Sequence, residues 1–336
     1  WRDWSSDVCS SDLLTKPGSK NIYIEETVGV YDFILPNKKI FETINWLSTY
    51  AQSIKSPGDF VFFENAKGYY FTPLSTLFSG TVYANYKFDP KNLINLGDKN
   101  LNPDLNQMLY NVSDFEVLNF YDTLAGITNG TFANKVITLN VLQRYVNRTE
   151  GVFNYNNYGN SLNPNPIINN YKNRLGGTMY EMPPRDIPGL EIGCLRMAAG
   201  NKEDKKFQGV IDKDAVDDVA NDIMIEKYLP NRVSRLALAN YTRIKVTIPG
   251  DPYLVVGNVV NFETFKITPV TYTDGETREL DPLYSGKYLV TAVRHVVKNN
   301  SYITIVEMCK DSHTGTIAGF DNNSPVIKSF VDGVQA

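Results

Sequence analysis

From Thr242 to Met308 the sequence is cut into short runs in which polar and apolar residues alternate, each closed by residues that favour turns. Thr242-Arg-Ile-Lys-Val-Thr-Ile248 alternates, Pro249-Gly250-Asp251-Pro252 forces a turn, and Tyr253-Leu-Val-Val256 begins a further strand. Gly257-Asn258 then leads into Val259-Val-Asn-Phe262, and after a polar loop Tyr284 to His295 forms one long strand. Asn299-Asn300 turns that strand back into Ser301 to Met308. A period of two places neighbouring side chains on opposite faces, so each run has one face to bury. Short antiparallel strands at this spacing predict a small barrel or sandwich, in which closure protects the edges. Composition agrees: 12% aromatic residues, including 21 Tyr, suit pleated, half-buried surfaces.

Upstream, Asn21 to Glu25 alternates as a strand and leads through a turn to Phe33-Ile-Leu35. Ile40, Ile44, Leu47, Ala51 and Ile54 then fall on one helical face, and Ser56-Pro57-Gly58 ends that helix. Asp59 to Glu64 and Tyr69 to Thr72, joined by Asn65-Ala-Lys-Gly68, form a hairpin. Residues 14–88 are therefore expected to be a small α/β unit, and 89–104, rich in turn formers, its linker. From Met108 the chain reads as strand again, with Val112, Phe115, Val117 and Phe120 on a sheet face, a turn at Asn129-Gly130-Thr131 and a return strand over Val136 to Leu142. Residues 154–173 are rich in Asn, contain Pro164 and Pro166, and have no hydrophobic period, as in an exposed lobe. Asp214 to Glu226 has helical spacing with an acidic, solvated face, and Val233 to Ala239 either continues as helix or turns into the next strand.

The expected fold class is α+β and β-rich: an α/β domain with linker over 14–104, and an antiparallel β-barrel with an inserted loop-rich lobe. Neither 105–155 nor 226–312 has enough strands to close a sheet alone, so the two are expected to share one β domain around the lobe at 156–225. Residues 313–336, rich in Gly, Asn and Ser, are expected to be a flexible tail.

Asp3 to Leu13 is the string obtained when a common sequencing adapter is translated in frame. Residues 1–13 are accordingly set aside as non-native, with no packing contacts expected, and the true N-terminus is expected upstream. The chain has 33 Lys and Arg against 37 Asp and Glu; residues 1–13 hold Arg2 and Asp3, Asp7 and Asp12, so the remainder carries a net charge of −2. That balance, with no basic run, argues against binding nucleic acid by phosphate neutralisation. No apolar stretch approaches the roughly 20 residues of a membrane span.

Cys9 lies in the set-aside segment, and Cys194 and Cys309 make neither a disulfide framework nor a CxxC pair; both read as small buried hydrophobes folded in a reducing cytoplasm. The sequence has two histidines. His295 sits in a strand and reads as a sheet-surface or satisfied core residue; His313 falls in the expected tail. There is no HExxH, GxSxG, phosphate-binding loop or GxGxxG pattern. The acidic pairs Glu25/Glu26, Asp217/Asp218 and Glu276/Glu279 offer a glycosidase's two carboxylates, but all lie in segments that read as exposed. The sequons at Asn111 and Asn147 are what an Asn-rich chain contains by chance. No catalytic, cofactor-binding or metal site is expected.

The order Pro249-Gly-Asp251, then Val255-Val-Gly257, then Leu283-Tyr-Ser-Gly-Lys-Tyr-Leu-Val-Thr-Ala-Val-Arg-His295, then Ile303-Thr-Ile-Val-Glu307 and Lys310-Asp-Ser312 resembles the baseplate hub proteins of contractile-tailed phages. It is also similar to the tube-like modules of phage late-control proteins and VgrG spikes. Ile22 to Thr27, Ile34 to Asn37, Trp46-Leu47 and Phe60-Val-Phe-Phe63 resemble the α/β domain of the same hubs. The resemblance implies a virion structural protein, assembled in the bacterial cytoplasm. As a homotrimer with two tube-type domains per chain, it would match a sixfold tail tube to a trimeric central spike, with baseplate wedge proteins as further neighbours and the genome passing through its lumen unbound. Only one tube-type domain is visible here, over 105–155 and 226–312; the other would lie upstream. Two other roles stay open: a tail-associated peptidoglycan hydrolase, and a receptor- or glycan-binding tail protein, which the Tyr- and Asn-rich loops would suit.

Overall fold

The computed structural model describes residues 20–28, 35, 37–53, 58–89, 109–120, 135–140, 145–147, 161–166, 191–196, 225–266, 279–299 and 301–315. Residues 1–13, the turn at Asn129-Gly130-Thr131, and most of the expected lobe and tail lie outside this set.

In chain order the elements are β1 (Asn21–Ile24), α1 (Ile40–Ser48), β2 (Phe60–Glu64), β3 (Gly68–Pro73), α2 (Leu74–Phe78), β4 (Val82–Phe88) and β5 (Asp114–Asn119). Next come β6 (Lys135–Asn140), β7 (Tyr145–Asn147), β8 (Asn165–Pro166), β9 (Glu191–Arg196) and α3 (Ile225–Ala239). The last strands are β10 (Thr242–Pro249), β11 (Val259–Thr264), β12 (Gly286–Lys298), β13 (Ser301–Lys310) and β14 (Ser312–His313). The chain is thus β-rich with few helices, and it divides into two compact units.

The first unit holds β1 to β3, α1, β6, β7, β9 and most of α3. β2 and β3 form the expected hairpin, and β1 joins β3 in parallel, with Tyr23 opposite Tyr70. The turn closes on Asn65, whose side-chain oxygen accepts from the amides of Lys67 (2.8 Å) and Gly68 (3.1 Å). Phe41 of α1 stacks on Phe62 and Tyr69 at 5.8 and 6.1 Å between centroids, whereas Tyr23, Tyr70 and Phe63 form a second row of rings at 4.7 and 5.1 Å. α3 docks through two arginines. Arg232 donates to the carbonyls of Ser48 (3.0 Å), Gly58 (3.2 Å) and Phe60, and Arg235 meets Asp59 at 3.4 Å with both side chains buried. A separate sheet runs β7-β6-β9, with β6 parallel to β9 and antiparallel to β7.

The second unit is built on a six-stranded sheet of order β4-β11-β12-β13-β10-β5. The sheet curls until its first strand meets the approach to its last. The Lys87 amide of β4 donates to the Tyr110 carbonyl at 3.0 Å, the Val112 amide donates to the Lys87 carbonyl at 2.9 Å, and the Ser113 amide donates to the Thr247 carbonyl of β10 at 2.8 Å. Residues 110–113 are thereby tied to both ends of the sheet, and Val112 enters the core between them. That core consists of Ala84, Tyr86, Val112, Ile244, Val246, Ile248, Leu254, Val260, Phe262, Tyr288, Val290, Val306 and Met308, with Phe88, Phe115 and Val293 packed against it. Each fully buried aliphatic or aromatic side chain stabilises by roughly 1.5–3 kcal/mol, so the alternation read in β10 to β13 accounts for most of the cohesion here.

A bulge explains one interruption of that alternation. The β12–β13 register slips between Val290 and Ala292, and the extra residue Thr291 turns its hydroxyl to the Glu307 carbonyl at 3.1 Å. Beyond it the inward position passes from even to odd numbers, so Val293 rather than Ala292 joins the core.

Several expectations are corrected. β4 does not belong to the N-terminal α/β domain: it pairs with β11, and does so in parallel, so the curled sheet is mixed rather than antiparallel. Of the region expected to complete that sheet, β5 enters it beside β10, while β6 and β7 pair with β9 instead. α1 stops at Ser48, because the Thr49 and Tyr50 amides tighten onto Trp46 and Leu47, and the hydroxyls of Ser48 and Thr49 take the Asn45 and Trp46 carbonyls. Ile40 is left 70% exposed. Tyr253 to Val256 is turn rather than strand, with Leu254 buried as a plug. His313, expected in a flexible tail, is fully buried with Ser312 in β14, paired with β8. The polar character of these residues hid their burial.

Gly286 shows how tightly this last region is built. Its φ is +127°, and a Cβ would lie 2.7 Å from both Asn163 Oδ1 and Thr314 Cγ2. Gly286→Ala is expected to lower stability by about 2–4 kcal/mol, measured by urea denaturation, since the new Cβ would meet Asn163 and Thr314 at a backbone conformation that only glycine adopts readily. A loss below about 1 kcal/mol would show that the contact with Asn163 is unimportant.

Candidate functional site

Three arrangements in the second unit concentrate polar or exposed groups. The most buried is the end of β13 and the start of β14. Lys310, Asp311, Ser312 and His313 are consecutive, and each is fully buried. The Lys310 ammonium donates to the carbonyls of Leu283 and Ser285 (3.0 Å) and lies 4.7 Å from the Tyr288 ring centroid. Asp311 accepts from the Leu162 amide at 3.1 Å and the Ser312 hydroxyl at 2.7 Å. Asn163 ties this end to β12: its amide nitrogen donates to the Lys287 and Ser312 carbonyls (both 3.1 Å), and its oxygen accepts from the Lys287 amide at 2.8 Å. Burial pushes Lys310 down to about 7, against the opposing pull of Asp281 and Asp311. Burial, then Lys310, push His313 down to about 4; neither ring nitrogen has a hydrogen-bond partner of good geometry, although the Leu283 carbonyl pulls the value back upward. The cluster is a clamp holding residues 161–166 to the sheet: every group but the imidazole is engaged, and none faces solvent.

The second arrangement surrounds Asp251 in the turn after β10. Its carboxylate accepts from the Tyr83 hydroxyl (3.0 and 3.2 Å), the Tyr86 hydroxyl (3.2 Å) and the Tyr253 amide (3.0 Å). Its own amide donates to the Thr304 hydroxyl at 3.0 Å. Thr304 in turn lies 3.2 Å from His295 Nδ1, which is 3.1 Å from the Tyr302 hydroxyl.

The third is the outer edge of β5, where Val117, Leu118 and Phe120 are 37%, 41% and 40% exposed. Consecutive strand residues face opposite ways, so this last strand of the sheet presents apolar groups on both faces.

The residues singled out from sequence separate among these. His295 lies on the exposed face of β12, joined to Thr304 and Tyr302. Glu25 accepts from the hydroxyls of Thr72 (3.1 Å) and Thr76 (3.2 Å), while Glu26 is exposed. Glu279 pairs with Lys266, which holds its carboxyl below the usual range. Asp217, Asp218 and Glu276 lie outside the described residues. Cys309 is buried, and burial pushes its thiol up to about 12, so it packs as a hydrophobe. Cys194 falls in β9 and Asn147 in β7; Asn111 forms the bridge to Lys87. Among the described residues no three His, Cys, Asp or Glu side chains converge as metal ligands, and no helix is long and apolar enough to cross a membrane. The Lys310–His313 clamp and the Asp251 cluster both escaped the sequence reading, since their members are far apart in the chain and follow no motif.

The clamp has a pH signature. His313 and Lys310 are both depressed on folding, so the unfolded chain binds more protons between about 4 and 6.5 and between about 7 and 10.5. Stability is therefore expected to rise with pH across each window, and His313→Leu should flatten the lower one. Urea midpoints measured from pH 4 to 10 check this; a midpoint that falls with rising pH in the lower window, or a variant that follows the parent there, would contradict it.

No protein-family model matches the chain, and no curated protein matches it. Among solved structures it is similar to the crystal structure of the tail protein from Neisseria meningitidis MC58, with a TM-score of 0.37 and 8% sequence identity. That match covers 86% of this chain and 61% of the other, so the chain spans less than two thirds of its neighbour's length.

Proposed function

We propose that the chain is a structural component of a contractile phage tail: a baseplate hub protein that, as a homotrimer, joins the sixfold tail tube to the central spike and carries no catalytic site. The observation behind this reading is the use made of the residues that resemble the hub family. Asp251 fastens its turn to Thr304, and Ser285 bonds both the amide (3.0 Å) and the carbonyl (2.8 Å) of Thr264. Gly286 takes a backbone conformation that other residues rarely adopt, and the Tyr288 ring fills the core while its hydroxyl reaches the Tyr284 carbonyl at 2.6 Å. All of them build one curled sheet.

A ring of such sheets needs edges that accept a neighbour's strand, and the outer edge of β5 suits that task. A net charge of −4 over the whole chain fits a lumen through which DNA slides without binding. Tube, spike and wedge proteins are the partners in this reading, and the virion baseplate, assembled in the host bacterial cytoplasm, is its location.

The test is assembly. The full-length protein should form trimers in analytical ultracentrifugation and enter baseplates seen by electron microscopy. Leu118→Lys should weaken the trimer by tenfold or more while leaving the circular dichroism unchanged. Leu289→Pro should abolish assembly, since Leu289 pairs with both Val259 and Cys309 and proline removes a ladder donor. His295→Gln should assemble normally. A monomer at about 100 µM, a concentration that saturates any micromolar interface, or peptidoglycan hydrolysis lost in His295→Gln while particles still form, would overturn the reading.

A further inference from the structure

The cluster around Asp251 has a feature that its framework role leaves unexplained. Asp251 has no cationic partner: among the described residues no Lys or Arg lies within ion-pair distance, whereas Glu64, Glu116, Glu279 and Glu307 are each matched by a basic side chain. Its charge is met only by two phenols and an amide. Those phenols stay protonated: burial, with Asp251 beside it, pushes Tyr83 up to about 12, and Tyr86 is raised further by the same causes.

The rings around it are open to solvent. Tyr83 is 41%, Tyr110 46% and Tyr253 74% exposed, and the Tyr110 ring lies 6.1 Å from that of Tyr86 at an interplanar angle of 55°. A carboxylate has about four acceptor positions, and three donors already occupy most of them. A neutral hydroxylated ligand would find little left to bond. A cation needs no vacant lone pair, because it is drawn by the net charge and by the negative faces of the rings. A phenol that donates to a carboxylate has an enriched ring face, which strengthens that attraction.

We infer that the tyrosine surface around Asp251 is a docking site for a cationic side chain, an arginine or lysine head presented by a partner protein, seated against Tyr83, Tyr110 and Tyr253 with Asp251 as its counter-charge. Cation–ring contacts at an exposed site are individually weak, so an isolated head group held by these rings and the Asp251 charge binds with a dissociation constant in the millimolar range, and a protein partner gains it as one anchor among others. The site does not depend on the tail-hub reading; it requires only the folded second unit.

The probe is N-acetyl-arginine amide, with N-acetyl-citrulline amide as its neutral isostere and a neutral disaccharide as a third arm. They are titrated into the chain labelled with 3-fluorotyrosine and followed by fluorine NMR. The arginine probe should shift the resonances assigned to Tyr83, Tyr110 and Tyr253 with millimolar saturation, and citrulline should not. Asp251→Asn and Tyr253→Ala should each weaken binding about fivefold; the second keeps the Tyr253 amide bond to Asp251, so its fold is not at risk. Equal shifts with citrulline, saturation by the disaccharide alone, or no shift up to about 50 mM, some tenfold above the expected constant, would overturn the inference.

Discussion

The second unit depends on one ladder, the pairing of β12 with β13. It runs from Leu289 opposite Cys309 to Lys298 opposite Ser301, the longest pairing among the described strands. β11 adds to the near end of one strand, and β10 follows the other from Ile303 to Lys310. Val290, Val306 and Met308 give the ladder its buried face, and the bulge at Thr291 keeps that face inward where an unbroken alternation would have turned it out. Once this hairpin exists, β10 and β11 have templates, and β5 and β4 are placed as outer strands on those. The core is what this curl encloses.

The hairpin was also the most legible part of the sequence, for a physical reason. Its register is set locally by Asn299, whose positive φ makes the turn, and by alternation on both sides, so short-range pattern and long-range packing agree. Agreement failed where a tertiary partner overrode local preference. Tyr253 to Val256 has the composition of a strand, yet Leu254 and Val255 serve as buried plugs in a turn whose amides are taken by Asp251 and Val290. β4 falls within the stretch 14–88 expected to form the N-terminal α/β unit, but its alternate residues Ala84 and Tyr86 match the core of the other sheet. His313 looks like the start of a tail because nothing local shows that Asn163, 149 positions before Ser312, will bind the residue next to it.

The polar groups divide the same way. Of the residues chosen for chemical type, those described, His295, Glu25 and Glu279, lie in unrelated settings, because chemistry requires convergence and convergence is a property of the fold. The groups that do converge, Asp251 with its tyrosines and Lys310 with its carbonyls, belong to residue types that are ordinarily solvated in isolation. Burial gives them their character. A lysine moved to about 7 and an imidazole to about 4 describe an interior that disfavours charge, and that interior lies at the end of the sheet where Asn163 fastens it.

The parallel pairing of β4 with β11 bears on how such a chain reaches its native state. Val82 faces Val259, and the two are 177 positions apart. Closing so large a loop carries an entropic cost before any contact rewards it, which places this strand among the slowest to settle. During synthesis β4 leaves the ribosome long before its partner exists, with Tyr86 and Phe88 still uncovered, while β12 and β13, nearly adjacent in the chain, pair soon after they emerge. The curl of the sheet is thus expected to be completed from its C-terminal hairpin backwards, with β4 open to chaperones or to misassembly with other chains until β11 arrives.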